Sequence, residues 1–246
     1  MNKLIIMMTI CLAMLLSASV VKADMIDLKV TYRDFHSTHP DFESTLGTDP
    51  GIVQTTLGAD GKPVYAGLSG NPTTHGETNF NQWYNDVPGI NSSMTDTLTF
   101  QKVGDNYVYS SNSFFPLDGK LFGNEGNSHN YHFTMELHTA FTYEAGQEFN
   151  FTGDDDVFVF INDQLVIDLG GVHTAQSASV DLDTLGLIEG NVYDFDLFFA
   201  ERHTTQSNFV ATTNIILDNP VVPVPGALLL GLLGMGATGI KLRRFA

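Results

Sequence analysis

Three consecutive acids, Asp154, Asp155 and Asp156, follow Gly153 and run directly into the apolar stretch 157–161. Neighbouring side chains on a strand point to opposite faces, so three carboxylates in register would not converge on one ion. A turn, or a cis peptide between two of them, would bring two to one side. Carboxylates held together repel, and a hard divalent cation such as Ca2+ relieves that repulsion while taking oxygen ligands. A solvated acidic turn without any ligand is the competing reading.

The second group is Glu201-Arg202-His203. Arg202 is the only arginine between residues 34 and 242. A lone guanidinium among acids reads as an ion-pair partner, with Glu201 or one of Asp154, Asp155 and Asp156 as its mate, because its fork matches a carboxylate. Alternatively Arg202 and His203 form the rim of a ligand pocket. His173, after Gly170 and Gly171, is open to the same two readings. His129, His132 and His138 lack the spacing of paired zinc ligands. No Gly-x-Ser-x-Gly elbow or phosphate loop occurs. Asn91-Ser-Ser93 and Asn150-Phe-Thr152 match a glycosylation sequon.

The elements that must hold these residues are strands. Short runs rich in Val, Phe, Tyr, Ile and Thr recur between clusters of Gly, Asn, Asp and Pro, which predicts an all-β sandwich or barrel. Strands are expected at 26–32, 96–102, 106–109, 131–143, 148–152, 157–161, 165–169, 193–200 and 209–217. Stretch 157–161 is apolar on both faces, so it belongs at the centre of the fold and the acids before it are rigidly held. Asn162-Asp163 suits the positive φ angles of a tight hairpin turn, pairing that strand with 165–167. Region 34–93 is poor in pattern and reads as loop-rich, with Trp83 and Tyr84 as its packing anchor.

The ends have a different character. A basic start, an apolar block from Leu4 to Leu16 and small residues ending at Ala23 have the layout of a secretory signal peptide, residues 1–23. Residues 221–246 pass from Pro223 and Pro225 through an uncharged glycine-rich stretch to Lys241, Arg243 and Arg244. That order can cross a membrane and stop with its cationic end on the cytoplasmic side. The ends hold five of the eleven basic residues and none of the 28 acids, so residues 24–220 carry six basic residues against 28 acidic, a net −22. Such a surface excludes nucleic-acid binding and docking on anionic lipid. The single cysteine, Cys11, lies in the signal, so stability of the single domain at 24–220 must come from a core.

Several runs extend this reading. Phe149-x-Phe151-x-Gly-Asp-Asp-Asp-Val-Phe-Val-Phe-Ile-Asn-x-x-Leu-Val-Ile-Asp-Leu-Gly-Gly-Val-His173, Leu182-Asp-Thr-Leu-Gly-Leu187 and Phe198-Phe-Ala-Glu-Arg-His-Thr-Thr-x-Ser-Asn-Phe209 resemble the fibro-slime domain, a relative of the PA14 β-sandwich family. Arg33-Asp-Phe-His36, His39-Pro-Asp-Phe42, Trp83-Tyr84, Phe114-Phe-Pro116 and His132-Phe-Thr-Met-Glu136 extend the likeness over residues 26–216. PA14 adhesins carry an Asp-Asp pair, joined by a cis peptide, that binds Ca2+ and through it sugar hydroxyls. The resemblance lays that pair on Asp154 and Asp155, puts Asp156 where a Gly is usual, and makes Asn208 the third metal ligand. Asp156, His173, Glu201, Arg202 and His203 then become candidate ligand-binding residues. The tail is similar to a PEP-CTERM sorting signal, with Val224 at the usual Glu position. That implies an exosortase partner, transient contact with the inner membrane or, with the tail uncut, permanent anchoring in it, and a Gram-negative cell surface or extracellular matrix.

The function expected on these grounds is a secreted, non-catalytic, calcium-dependent adhesive module that binds extracellular polysaccharide or a cell-surface glycan within a biofilm. One alternative is a self-associating matrix protein in which calcium only stabilises the fold. The other is a glycosidase, which needs two carboxylates about 5–9.5 Å apart across an open cleft, an arrangement that contiguous acids do not supply.

Overall fold

The computed structural model describes residues 24–43, 45–67 and 72–217. The expected signal peptide with Ala23, the boundary at 220, and the tail with Pro223, Pro225, Arg243 and Arg244 lie outside the described residues. No described helix is long and apolar enough to cross a membrane.

The chain is all-β. In order the strands are β1 (Met25–Phe35), β2 (Gly47–Thr48), β3 (Val53–Leu57), β4 (Pro63–Tyr65), β5 (Asn91–Val103), β6 (Asn106–Ser111) and β7 (Phe133–Thr142). There follow β8 (Glu148–Asp154), β9 (Asp156–Ile161), β10 (Gln164–Leu169), β11 (Gly171–Val172), β12 (Gln176–Asp181), β13 (Val192–Glu201) and β14 (Asn208–Thr213). Among the described residues a short α-helix, α1 (Glu77–Phe80), lies between β4 and β5, and a 3-10 turn, Leu182–Leu185, lies between β12 and β13. Twelve strands form one antiparallel sheet in the order β12-β8-β14-β6-β5-β1-β7-β13-β9-β10-β3-β4, while β2 and β11 make a separate ribbon. The large sheet curls so far that β10 comes back beside β12. The sandwich-or-barrel expectation is thereby met by a single curled sheet.

Why β9 is apolar on both faces follows from what covers it. Val157, Val159 and Ile161 point into the core enclosed by the curl, with Phe149, Phe151, Phe199 and Phe209. Phe158 and Phe160 point the other way, into a second core with Ile52, Phe80, Trp83, Tyr84 and Phe198. Alternation along one strand therefore feeds two cores, and β9 is buried at every position. At its far end Asn162 and Asp163 adopt φ 52° and 61°, the left-handed pair that a two-residue hairpin demands, and Gln164 pairs with Ile161. Trp83 is the anchor expected of the loop-rich region: fully buried, it hydrogen-bonds Asp41 through its indole N–H at 3.0 Å.

The nine expected strands all exist, with shifted ends. Five others had no signal. β12, Gln-Ser-Ala-Ser-Val-Asp, is a polar edge strand with only Val180 buried, and β2 and β11 are two residues long. In region 34–93, β3 and β4 build a small hairpin at the opposite sheet edge.

Candidate functional site

β8 ends at Asp154 and β9 begins at Asp156, so the acids occupy the junction of two strands that are not neighbours in the sheet. The Asp154–Asp155 peptide is cis. Asp154 and Asp155 line an open cleft of about 810 Å³, together with Gly47, Thr48, His173 and His203. Each carboxylate is fixed by donors from a different element. Asp154 accepts the Asn208 backbone N–H on Oδ1 and the Asn208 side-chain N–H on Oδ2, the latter at 2.9 Å. Asp155 accepts the His173 N–H on Oδ1 and the Arg202 N–H on Oδ2, both at 3.0 Å. Every oxygen thus holds one donor and keeps a second lone pair.

The third acid is not a cleft residue. Asp156 is completely buried and paired with Arg202, whose Nε donates to Oδ2 at 2.6 Å and whose Nη2 donates to Oδ1 at 3.0 Å. Arg202 also donates to the Asp41 carbonyl at 3.0 Å and to the Thr73 carbonyl and hydroxyl at 2.6 and 3.2 Å. All five guanidinium N–H groups are thereby used, and the guanidinium carbon lies 4.6 Å from the Trp83 ring centre. The expectations that Asp156 and Arg202 bind ligand are therefore corrected. Both are structural, because the ion pair is sealed from solvent between the sheet and the Asp41–Thr73 segments. The expectation of a mate for Arg202 among the three acids is met by Asp156.

Glu201 needs the same correction. It is buried and absent from the cleft lining, and its Oε1 accepts the His203 N–H at 3.4 Å. Burial and the nearby Asp155 push the Glu201 carboxyl well above the ordinary carboxylate range. Burial likewise pushes Asp155 up to about 8, against the pull of Arg202. His173 and His203 do line the cleft, as expected of rim residues. The His173 ring nitrogens lie 3.0 and 3.3 Å from the Thr174 and Leu169 carbonyls, to one of which the ring N–H donates. His203 sets Nε2 3.5 Å from Glu43 and has a buried Nδ1 without a hydrogen-bond partner among the described residues. Asn208 is brought to Asp154, behind the cleft rather than in its lining.

Residues that the sequence did not reveal build the opposite wall. Gly47 and Thr48 belong to β2, whose ribbon with β11 brings segment 46–48 across from the acids. Gly171 makes that ribbon possible: it has φ 116°, and a Cβ there would lie 2.2 Å from the Gly47 carbonyl oxygen. The Gly170-Gly171 pair was the available signal.

Oxygen ligands are what calcium takes, and two adjacent carboxylates with free lone pairs fit it in kind. Among the described residues no three Asp, Glu, His or Cys groups stand close enough together to hold a metal. A cation at Asp154 and Asp155 would therefore complete its shell from oxygens of the ligand or of water, and Asn208, expected as the third ligand, instead holds Asp154 from behind.

A family model for the PA14 domain matches residues 122–219, which include the acids, both flanking strands and the β13–β14 loop. That segment of the chain is similar to the PA14 domain. Among curated proteins, psiD of Dictyostelium discoideum is 44% identical over 211 residues, 78% of this chain and 42% of psiD. The psiR protein of the same organism is 38% identical over 239 residues, 89% of this chain and 24% of psiR. The chain thus spans less than half the length of these relatives. Among solved structures, the PA14 domain of the MpAFP antifreeze protein aligns over 84% of this chain and 90% of its own, at 11% identity and a TM-score of 0.35. The PA14 match includes Asp154, Asp155, His173 and His203 of the cleft but not Gly47 and Thr48, and it stops short of β1 to β6.

Proposed function

We propose that this chain is an exported, non-catalytic adhesive module that binds extracellular polysaccharide or a cell-surface glycan through Ca2+ at Asp154 and Asp155. The observation that carries this reading is the pair itself: two adjacent carboxylates, each oxygen already oriented by one N–H and still able to accept, facing an open cleft. The PA14 match over this segment and the fibro-slime resemblance support it. Asn208 steadies Asp154 from behind, through its backbone and side-chain N–H groups. When bound, the cation neutralises the pair and coordinates sugar hydroxyls. The chain's own part is to hold both carboxylates in place and to offer His173, His203 and Thr48 as polar edges around the sugar. Glu201, Arg202 and Asp156 act from behind, by fixing the backbone that donates to Asp155.

The setting we propose is the surface or extracellular polymer layer of a Gram-negative cell, such as a biofilm. Delivery would run through the signal peptide, an exosortase and passage of the tail through the inner membrane. A hydrolytic role is disfavoured because the only carboxylates lining the cleft are the two contiguous ones, whereas glycoside hydrolysis needs a pair flanking the bond.

A glycan array probed with the purified protein, in calcium and in chelator, tests this. Binding to a restricted set of glycans in calcium, lost in chelator, is expected. Binding to none in either condition, with thermal stabilisation by calcium retained, would instead favour the self-associating matrix protein.

A further inference from the structure

A second concavity, of about 260 Å³, shares no lining residue with the Asp154–Asp155 cleft. Its polar groups converge from separate segments: Tyr32 of β1, Asp96 of β5, Tyr109 and Ser111 of β6, and Lys120 from the stretch between β6 and β7. Tyr32 is only 2% exposed, yet its side chain lines this pocket. Neither the Tyr32 nor the Tyr109 hydroxyl has a hydrogen-bond partner among the described residues. Neither hydroxyl is sealed from solvent, so each can exchange a water's hydrogen bond for a ligand's. Both rings are held in place by Phe114, with centroids at 6.4 Å for Tyr32 and 5.9 Å for Tyr109. Asp96 accepts the Thr97 N–H at 2.9 Å on one oxygen and the Lys120 ammonium at 3.3 Å on the other.

We infer that this pocket is a second binding site, independent of divalent cations, for a single neutral sugar ring. The charge argues for a neutral ligand, because Asp96 and Lys120 already offset each other. Polyhydroxyl chemistry follows from the donor and acceptor mix: ligand hydroxyls can donate to Asp96 and accept from Lys120 and the two phenols, while Phe115 and Pro116 offer apolar wall to a C–H face. Size limits the occupant, since the volume falls below the roughly 300 Å³ at which larger ligands begin to fit. Burial, with Tyr109 and Asp96 alongside, pushes the Tyr32 hydroxyl well above its ordinary range, so it remains a neutral donor at any working pH. The site does not depend on the proposed function of the first cleft. If both operate, two sites on one chain would raise avidity for a polymer without any new contact.

Ligand-observed saturation-transfer NMR tests the inference on the full chain, in chelator, with methyl glycosides of glucose, galactose, mannose and N-acetylglucosamine. Transfer to at least one glycoside is expected in chelator and in the Asp154→Asn/Asp155→Asn double variant. Asp96→Asn and Tyr32→Phe should each weaken the apparent affinity about tenfold. Removal of an unpartnered hydroxyl should leave the melting temperature of Tyr32→Phe unchanged or raised, which separates lost binding from lost fold. Transfer to no glycoside in chelator, or transfer unaffected by both variants, would overturn the second site while leaving the first untouched.

Discussion

At the scale of residues, the main lesson is the division of labour among three neighbouring aspartates. Asp154 and Asp155 keep lone pairs for a ligand, whereas Asp156 turns inward to a guanidinium that has no other acid to satisfy. A buried pair of this kind adds little net stability over an apolar replacement, but loss of one partner strands the other charge. Arg202→Met should therefore lower unfolding free energy by about 3–5 kcal/mol, measured by urea denaturation. Asp156→Asn with Arg202 intact should be destabilising in the same direction. The Asp154–Asp155 pair was singled out by the fibro-slime resemblance, whereas the need of Arg202 for an acid was legible in the sequence itself, because an isolated guanidinium among acids must find a carboxylate. Which acid it takes was not legible, because strand alternation leaves the choice to the bend between β8 and β9. Glu201 was misread for a similar reason: its place beside Arg202 in the chain puts it on the opposite face of β13.

At the scale of elements, the apolar strands and the Asn162-Asp163 hairpin could be read directly, since burial on one or both faces leaves a periodic trace. The β2–β11 ribbon could not. It is built from backbone pairing and polar pins, among them the Asp49 N–H to the Gly170 carbonyl at 2.6 Å and the Gly171 N–H to Asp156 at 2.7 Å. Gly171→Ala would drive a methyl group into the Gly47 carbonyl. It should cost about 1–3 kcal/mol and weaken glycan capture, because segment 46–48 is the cleft wall. A thermal melt paired with a binding isotherm would separate the two effects. A second polar clasp ties the β3–β4 hairpin to the outer face of the sheet. Lys62 and Arg33 both reach Glu136, and His138 sits 3.6 Å from Glu136 and 2.7 Å from Asp196. Burial opposes the charge on His138, but Asp196 and Glu136 outweigh it and raise its pKa from 6.5 to about 9. The folded state therefore binds the proton more tightly, and the stabilisation is complete below about pH 6.5 and fades as pH rises through about 9. Melting temperatures recorded across that window should fall for the wild type and fall less for His138→Gln.

At the scale of the whole molecule, a net charge of −22 over residues 24–220 surrounds two apolar cores that share β9. That charge suits a dispersed protein outside the cell and raises the local concentration of divalent cations. All-β class and the central strand were readable because composition and periodicity encode them. Closure of twelve strands into one curled sheet was not, since it depends on which distant strands pair. Export belongs to this scale as well. The intact mass of protein secreted from a Gram-negative host carrying an exosortase should correspond to a chain that begins at Asp24 and lacks the tail, and retention of both ends would oppose the proposed route. The central claim is that Asp154 and Asp155 take a calcium ion that the cleft then uses. Calorimetric titration of Ca2+ into chelator-stripped protein addresses it most directly. One saturable site per chain, lost in both Asp154→Asn and Asp155→Asn, is the predicted result; no saturable heat, or binding that survives both substitutions, would contradict it.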